Sequence, residues 1–169
     1  MKKCSIFLLF VLISLLLVSC VSTQPKFNPD GSPYWTTFTP VSRKYYYGVG
    51  SGNLKSTQNS KVRAEAMAKN EIARQVSTAV ENSITNYISE NQYEMNSFED
   101  FSSQVANATL RGVEVKEIYS ATDGTIWVLS QYDKKNLKEA YKLEAERLER
   151  QSLTEKISAE EMLKFLEEE

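Results

Sequence analysis

A glycine-rich stretch that joins an aromatic run to a Lys-Ser pair is the first candidate for chemistry in this chain. The stretch is YYYGVGSGNLKST, residues 45–57. A dinucleotide-binding turn needs a third glycine where Asn53 stands, and a phosphate loop needs a glycine where Leu54 stands. Because both patterns fail, we predict that Gly48 and Gly50 let the backbone leave a strand and turn into a helix.

Cys20 is the second candidate, and the chemistry it suggests is lipid attachment. It follows Leu17-Val18-Ser19, an order that resembles the bacterial lipobox. Lys2-Lys3 and the uncharged apolar run Ser5–Val18 precede it, and this run is shorter than the ~20 residues that span a bilayer. We predict that residues 1–19 are a cleaved signal peptide and that Cys20 is diacylated and becomes the N-terminus. The alternative is an ordinary secretory signal with an incidental cysteine.

Composition excludes several functional classes once the signal is removed. Cleavage leaves 150 of the 169 residues, which suits one domain. Cys4 leaves with the signal and Cys20 carries lipid, so no thiol remains for disulfides, catalysis or metal ligation. The chain has no histidine, which removes Ser-His-Asp triads and His-ligated zinc. We predict no enzyme activity, no catalytic residue, no metal and no cofactor.

Charge also bears on the choice of partner. With Lys2 and Lys3 gone, 18 basic side chains stand against 22 acidic ones, a net charge of −4. A mildly acidic chain is a poor candidate for binding nucleic acid or anionic lipid surfaces. We therefore expect membrane attachment through the acyl chains on Cys20.

Residues 20–40 predict a lipidated tether that precedes the folded body. All four prolines of the chain lie between residues 25 and 40, as expected of a linker with turns. Pro33-Tyr34-Trp35 is too apolar for a pure linker, and we expect Trp35 to dock the tether on the body. We assign residues 41–150 to an α+β domain and residues 151–169 to an acidic helical extension.

The positioning elements follow from periodicity and turn signals. We predict a strand over Arg43–Val49 and one long helix over Thr57–Asn91, with room for a bend near residues 83–85. The predicted apolar stripe of this helix consists of Ala66, Ala73, Val80 and Tyr87, and it is widened by Ile72, Val76 and Ile84. A shorter helical or irregular segment follows over residues 97–107.

The remaining elements are a hairpin and two helices. Asp123-Gly124 between apolar runs predicts the hairpin, Asp133 caps a helix over residues 134–150, and Ser158 caps a short C-terminal helix. The fold class is α+β, with a small antiparallel sheet packed against the long helix. We expect the extension, which carries Met162 and Phe165, to be dispensable for folding and needed for association.

A set of short motifs, in this order, resembles the LPP-twenty family of bacterial lipoproteins. The motifs are Pro33-Tyr34-Trp35, Tyr47-Gly48-Val49-Gly50, the alanine-rich segment Ala64–Arg74, Gly112-Val113 and Asp123-Gly124. The same module resembles the N-terminal domain of the flagellar T protein, a component of an outer-membrane ring. The resemblance covers roughly residues 33–141. It implies antiparallel strands against helices, outer-membrane anchoring and no enzymatic activity, and it brings no ligand residues. The Tyr45–Tyr47 run and the extension after Arg150 depart from the family.

Two classes of function remain open. The first is a lipid-anchored structural or interaction module of the envelope, with envelope or flagellar proteins as partners. The second is a small-molecule or glycan-binding lipoprotein that uses an aromatic cluster, whose members are Tyr34, Trp35, Tyr45, Tyr46, Tyr47 and Trp127. Aromatics gathered in one concave pocket favour binding, and aromatics dispersed through the core favour the module. Ser22 favours the outer membrane, and the sequence sets no oligomeric state.

Acidic pairs offer weaker candidates. Glu160-Glu161 and Glu167–Glu169 have the composition of a metal or cation site, but runs of this kind are usually solvated helix faces. Glu114 and Glu117, on either side of Lys116, are predicted to lie on the wet face of the hairpin.

Overall fold

The computed structural model describes residues 26–91, 98–151 and 157–168, so Cys20 and the signal lie outside it. A 3-10 helix, Tyr34–Thr36, comes first in these ranges. The strands are β1 (Tyr45–Gly52), β2 (Glu114–Ser120) and β3 (Ile126–Asp133). The helices are α1 (Thr57–Asn91), α2 (Glu99–Arg111), α3 (Lys134–Gln151) and α4 (Ala159–Glu168). The predicted α+β class is confirmed.

The three strands form one antiparallel sheet in the order β1-β3-β2. The hairpin between β2 and β3 turns at Gly124, whose φ of 85° is a conformation that side chains disfavour. Asp123 stabilises this turn by accepting a hydrogen bond from Thr125 N at 2.9 Å. The Asp-Gly hairpin predicted from the sequence is therefore confirmed.

The glycines of β1 lie inside the strand, and this corrects their predicted role. Gly48, Gly50 and Gly52 alternate along β1 on the face that meets α1. A Cβ atom built on Gly50 would lie 2.1 Å from Ala64 O, so only glycine allows the helix this close. Among the described glycines, Gly31 and Gly124 alone have positive φ. The β1 glycines therefore serve close packing of helix on strand, and the prediction of a turn was wrong.

Helix α1 runs without interruption from Thr57 to Asn91, so no break occurs near residues 83–85. Its buried residues recur every fourth position, as Ser60, Ala64, Ala68, Ile72, Val76, Val80 and Ile84, and Ser83 and Tyr87 are buried as well. A row of residues spaced four apart gradually changes its face along a helix, because the helix has 3.6 residues per turn. The first half of α1 therefore meets the sheet and the second half meets the other helices. The predicted seven-residue stripe is wrong at its start, because Ala66 is exposed and Ala73 is half-buried.

The larger core lies between the second half of α1 and the three other helices. It is built from aromatic and branched side chains, among them Val80, Tyr87, Phe98, Phe101, Val105, Leu137, Tyr141 and Met162. The Phe101 and Tyr141 rings meet edge to face with centroids 4.9 Å apart. Tyr141 Oη and Ser83 Oγ share a buried hydrogen bond of 2.7 Å. This core joins elements that are distant in the sequence.

The C-terminal helix is part of that core. Met162 is fully buried and Leu166 is 7% exposed. Tyr87 Oη accepts a hydrogen bond from Ser158 N at 2.9 Å, which fixes the start of α4 against α1. A ten-residue helix is marginal alone in water, and α4 covers its apolar side with α1 and α3. This packing contradicts the expectation that the extension is dispensable for folding.

Both predicted helix caps are present. Asp133 Oδ1 accepts a hydrogen bond from Lys135 N at 2.9 Å, and Ser158 Oγ accepts one from Glu161 N at 3.4 Å. Within the described ranges, no helix combines the length and the apolar character needed to cross a bilayer.

Candidate functional site

Aromatic side chains cover the face of the sheet that points away from α1. Trp35, Tyr47 and Leu129 form a buried cluster, and Tyr45 and Trp127 pack against it. Trp35 is 8% exposed, which confirms that it docks the proline-bearing segment on the sheet. The face is therefore a packed layer between the segment and the strands.

The predicted aromatic cluster is only partly assembled. Trp35, Tyr45, Tyr47 and Trp127 do come together. Tyr46 lies on the opposite face, where it packs against the helical core, because successive strand residues point to opposite sides. Tyr34 stacks instead on Phe38, with centroids 4.7 Å apart.

Glu117 is a site residue that the sequence analysis assigned to the wet face of the hairpin. Its Oε2 accepts a hydrogen bond from Trp35 Nε1 at 2.7 Å, across 82 positions of the sequence. The register of β2 shifts between Val115 and Glu117, which marks a β-bulge at Lys116. Lys116 Nζ lies 4.8 Å from the centroid of the Tyr47 ring and donates to Tyr47 Oη at 3.2 Å. No pattern in the sequence links these partners.

An open groove runs along the docked segment. Its volume is about 770 Å³, and its walls include Phe27, Tyr34, Trp35, Phe38 and Glu117. Of the six predicted aromatics, only Tyr34 and Trp35 line it. The groove is consequently a feature of the segment more than of the sheet.

Every pKa shift found among the described residues moves the pKa of the group away from neutral pH. Hydrogen bonds from Ser32 lower the pKa of Asp30, and those from Thr125 lower the pKa of Asp123. Burial raises the pKa of Tyr132, and burial raises that of Tyr141 to about 12. None of these four groups is prepared for proton transfer near pH 7.

The acidic residues of the described ranges are spread out or paired with cations. Lys138 Nζ lies 2.9 Å from Glu167 Oε1, and Lys164 Nζ lies 3.9 Å from Glu160 Oε1. Residues 26–91, 98–151 and 157–168 contain no group of three or more Asp, Glu, His or Cys placed to hold a metal ion. Glu169 lies outside these ranges.

Among the described residues, no strand pairs with the outer edge of β1, which we call the open edge. Lys134 N donates to Lys44 O at 2.9 Å beside the Tyr45–Asp133 pair. In an antiparallel ladder this register turns the backbone groups of alternate residues, including Val49 and Ser51, away from β3. Gln75 Nε2 occupies one such group, Tyr47 O, at 2.8 Å. In the described part of the chain, no hydrogen bond is found to the outward groups of Val49 or Ser51.

The other edge of the sheet carries the features that block strand addition. Strand β2 contains Glu114, Lys116 and Glu117 and is broken by its bulge. Strand β1, by contrast, is eight residues without a charge, a proline or a bulge. The two edges therefore differ in what they present to another chain.

Comparison with protein families gives one match. The family model for the LPP20 lipoprotein matches residues 33–133, which is more than half of the chain. The search of curated proteins found no match. This chain therefore belongs to the LPP20 lipoprotein family, and that membership indicates a bacterial lipoprotein anchored to a membrane of the cell envelope.

Proposed function

We propose that this LPP20 lipoprotein is held at the outer membrane by lipid on Cys20 and works there as a non-enzymatic structural or interaction module. The family match supports the lipoprotein part. The Leu17–Cys20 motif supports the attachment point, and Ser22 supports the outer membrane. The absence of histidine from the sequence supports a role without acid–base catalysis.

The interaction part of the proposal rests on one observation, the open edge of β1. An extended segment of another envelope protein can add to such an edge through main-chain hydrogen bonds, with side chains setting the choice of partner. Val49 and Ser51 offer those backbone groups, and the uncharged strand places no charge in the way. Members of an envelope assembly, including one around a flagellum, are the proposed partners.

The anchoring part is tested by removing the acyl acceptor. Cys20→Ala should give an uncleaved or soluble product that incorporates no labelled palmitate, because Cys20 is the only thiol after residue 19. A Cys4→Ala variant is the matched control and should be labelled like the wild type. Labelled, membrane-bound Cys20→Ala protein would refute the attachment point.

The interaction part is tested by placing a charge on each edge in turn. Ser51→Lys adds a cation to the open edge, and Ser120→Lys adds the same charge to the protected edge of β2. The cells are treated with a short photo-crosslinker that does not react with amines, so that the added lysine itself is not a target. Ser51→Lys should then lose the partner adducts of the wild type, and Ser120→Lys should keep them. Equal adduct patterns in both variants would remove the β1 edge from the proposal.

The alternative of a small-molecule or glycan site keeps one supporting observation, the groove beside Tyr34 and Trp35. Two other observations favour the module. Tyr46 lies on the opposite face of the sheet, and Tyr47 is buried under Lys116. Calorimetric titration with envelope glycan fragments is the direct comparison, and saturable heat that Tyr34→Ala removes would favour the alternative.

A further inference from the structure

Three side chains beside the groove remain exposed although they are apolar. Phe27 is 62% exposed, Phe38 is 55% exposed and Val41 is 99% exposed. Together with Tyr34 they line one continuous surface, which we call the tether patch. Contiguous apolar surface that faces water on a soluble domain usually marks a place of contact with a partner or a membrane.

The tether patch is held open by its own hydrogen bonds. Asn28 Nδ2 donates to Pro33 O at 3.1 Å and to Thr37 Oγ1 at 3.0 Å, which ties the loop to the 3-10 helix. Trp35 is fixed to the sheet through Glu117. The stacking of Tyr34 on Phe38 holds both rings at the surface. These hydrogen bonds and the ring stacking therefore keep the apolar side chains outside the core.

The position of the tether patch in the chain indicates what covers it. Lys26, where the described segment starts, is six residues after Cys20. A fully extended chain spans at most about 3.6 Å per residue, so this length reaches no more than about 22 Å. If Cys20 is acylated, as the proposed function requires, Lys26 at the start of the patch segment is always within that distance of the bilayer. A partner in solution has no comparable constraint.

We propose that the tether patch docks on the surface of the bilayer that holds the acyl chains. This inference rests on the proposed lipid on Cys20. Phenylalanine and other apolar side chains on one side of a peripheral segment bury at the boundary between headgroups and acyl chains. Lysines beside them reach the headgroups. Phe27 and Phe38 supply the rings, and Lys26, which is exposed and lines the same groove, supplies the cation.

The charges near the tether patch are compatible with this contact. Glu117, which lines the groove, accepts the hydrogen bond of Trp35 Nε1. Asp30 accepts hydrogen bonds from Ser32 N and Ser32 Oγ at 2.9 and 2.7 Å. Each of these two carboxylates is therefore hydrogen-bonded within the protein.

Docking through the tether patch sets the orientation of the whole domain. The 3-10 helix contacts β3 and Trp35 reaches Glu117 on β2, while α1 covers the opposite face of the sheet. The aromatic face then points to the bilayer, and the helices point away from it. Attachment through the acyl chains alone would not set this orientation.

The test uses the full acylated protein in vesicles of phosphatidylethanolamine and phosphatidylglycerol, with one environment-sensitive fluorophore. With Cys20 acylated, Val41→Cys supplies the only free thiol at the patch. Leu143→Cys, at an apolar position that is 62% exposed on α3, is the matched control. The probe at residue 41 should shift to the blue and be quenched by lipids that carry a headgroup-level quencher, and the probe at residue 143 should do neither. Adding Phe27→Ser and Phe38→Ser should abolish the shift at residue 41, with the melting temperature unchanged as a check on folding.

The outcomes separate this inference from the proposed function. Protein that floats with the vesicles while its residue 41 probe stays in water would keep the lipid anchor and overturn the docking surface. A shift that needs an added envelope protein would also overturn it in favour of a protein partner. Protein that does not float at all would refute the lipid on Cys20, and the docking surface would fall with it.

Discussion

Replacement of Gly50 by alanine tests the contact that positions the sheet under α1. The added Cβ atom would lie 2.1 Å from Ala64 O and 2.6 Å from Ala68 N. Both atoms belong to the helix backbone, so no side-chain rotation relieves the overlap. The Cβ and Ala64 O must separate by about 1.3 Å to reach the 3.4 Å at which ordinary contact begins.

A shift of that size disturbs more than one contact. Cβ atoms added at Gly48 and Gly52 would likewise lie 2.1 and 2.2 Å from backbone oxygens of the same helix. Moving α1 outward therefore loosens the small core of Ala64, Ala68 and Val128. Overpacking a filled core costs about 1–3 kcal/mol, and backbone overlap places Gly50→Ala at the upper end, about 3 kcal/mol. At roughly 2–4 °C per kcal/mol for a domain of this size, the melting temperature should fall by about 6–12 °C.

The assay is urea and thermal unfolding followed by far-UV circular dichroism. The matched control is Gly124→Ala, which has a φ of +85° and nothing within 4 Å of its added Cβ. That variant should lose only about 1 kcal/mol of stability, which is the cost of holding alanine in a left-handed backbone conformation. If Gly50→Ala loses no more stability than Gly124→Ala, the close-packing account of the β1 glycines is wrong.

Three further predictions concern the core. Burial raises the pKa of Tyr141 to about 12, above its ordinary 10.0. The contribution of this tyrosine to stability is therefore fully present below pH 10 and is lost as pH rises toward 12. Tyr141→Phe should flatten this part of the pH profile of the free energy of unfolding, and an unchanged slope would contradict the burial. Met162→Ala should lower the free energy of unfolding by about 2–5 kcal/mol, because Met162 is fully buried, whereas Leu143→Ala, the exposed control, should change it by less than about 0.5 kcal/mol; equal small losses would restore the idea of a dispensable extension. Ser130 Oγ is buried without a hydrogen-bond partner among the described residues, so Ser130→Ala should leave stability unchanged or raise it by up to about 1 kcal/mol, and a loss above that would reveal a partner of this hydroxyl.

The elements that follow from local signals were predictable from the sequence. The Asp123-Gly124 turn is fixed by a backbone preference of two residues, and the limits of α1 agree with the predicted Thr57–Asn91. The caps at Asp133 and Ser158 also depend only on residues within one turn. Such features need no information about the rest of the fold.

The features that depend on distant contacts were predicted poorly. The role of Gly50 depends on where α1 crosses β1, and that of Glu117 on a tryptophan 82 positions away. Met162 becomes a core residue because α4 returns to α1 and α3. The position of Tyr46 is an exception, since the alternation of a strand already separates it from Tyr45 and Tyr47.

The most direct test of the central claim is the mass of the N-terminal peptide of the protein taken from bacterial membranes. The account predicts that this peptide begins at Cys20, lacks residues 1–19 and carries the mass of a diacylglyceryl group on the cysteine sulfur. Fragmentation should place the whole added mass on Cys20. A peptide that begins at another residue, or one that begins at Cys20 with an unmodified thiol, would contradict the lipid anchor.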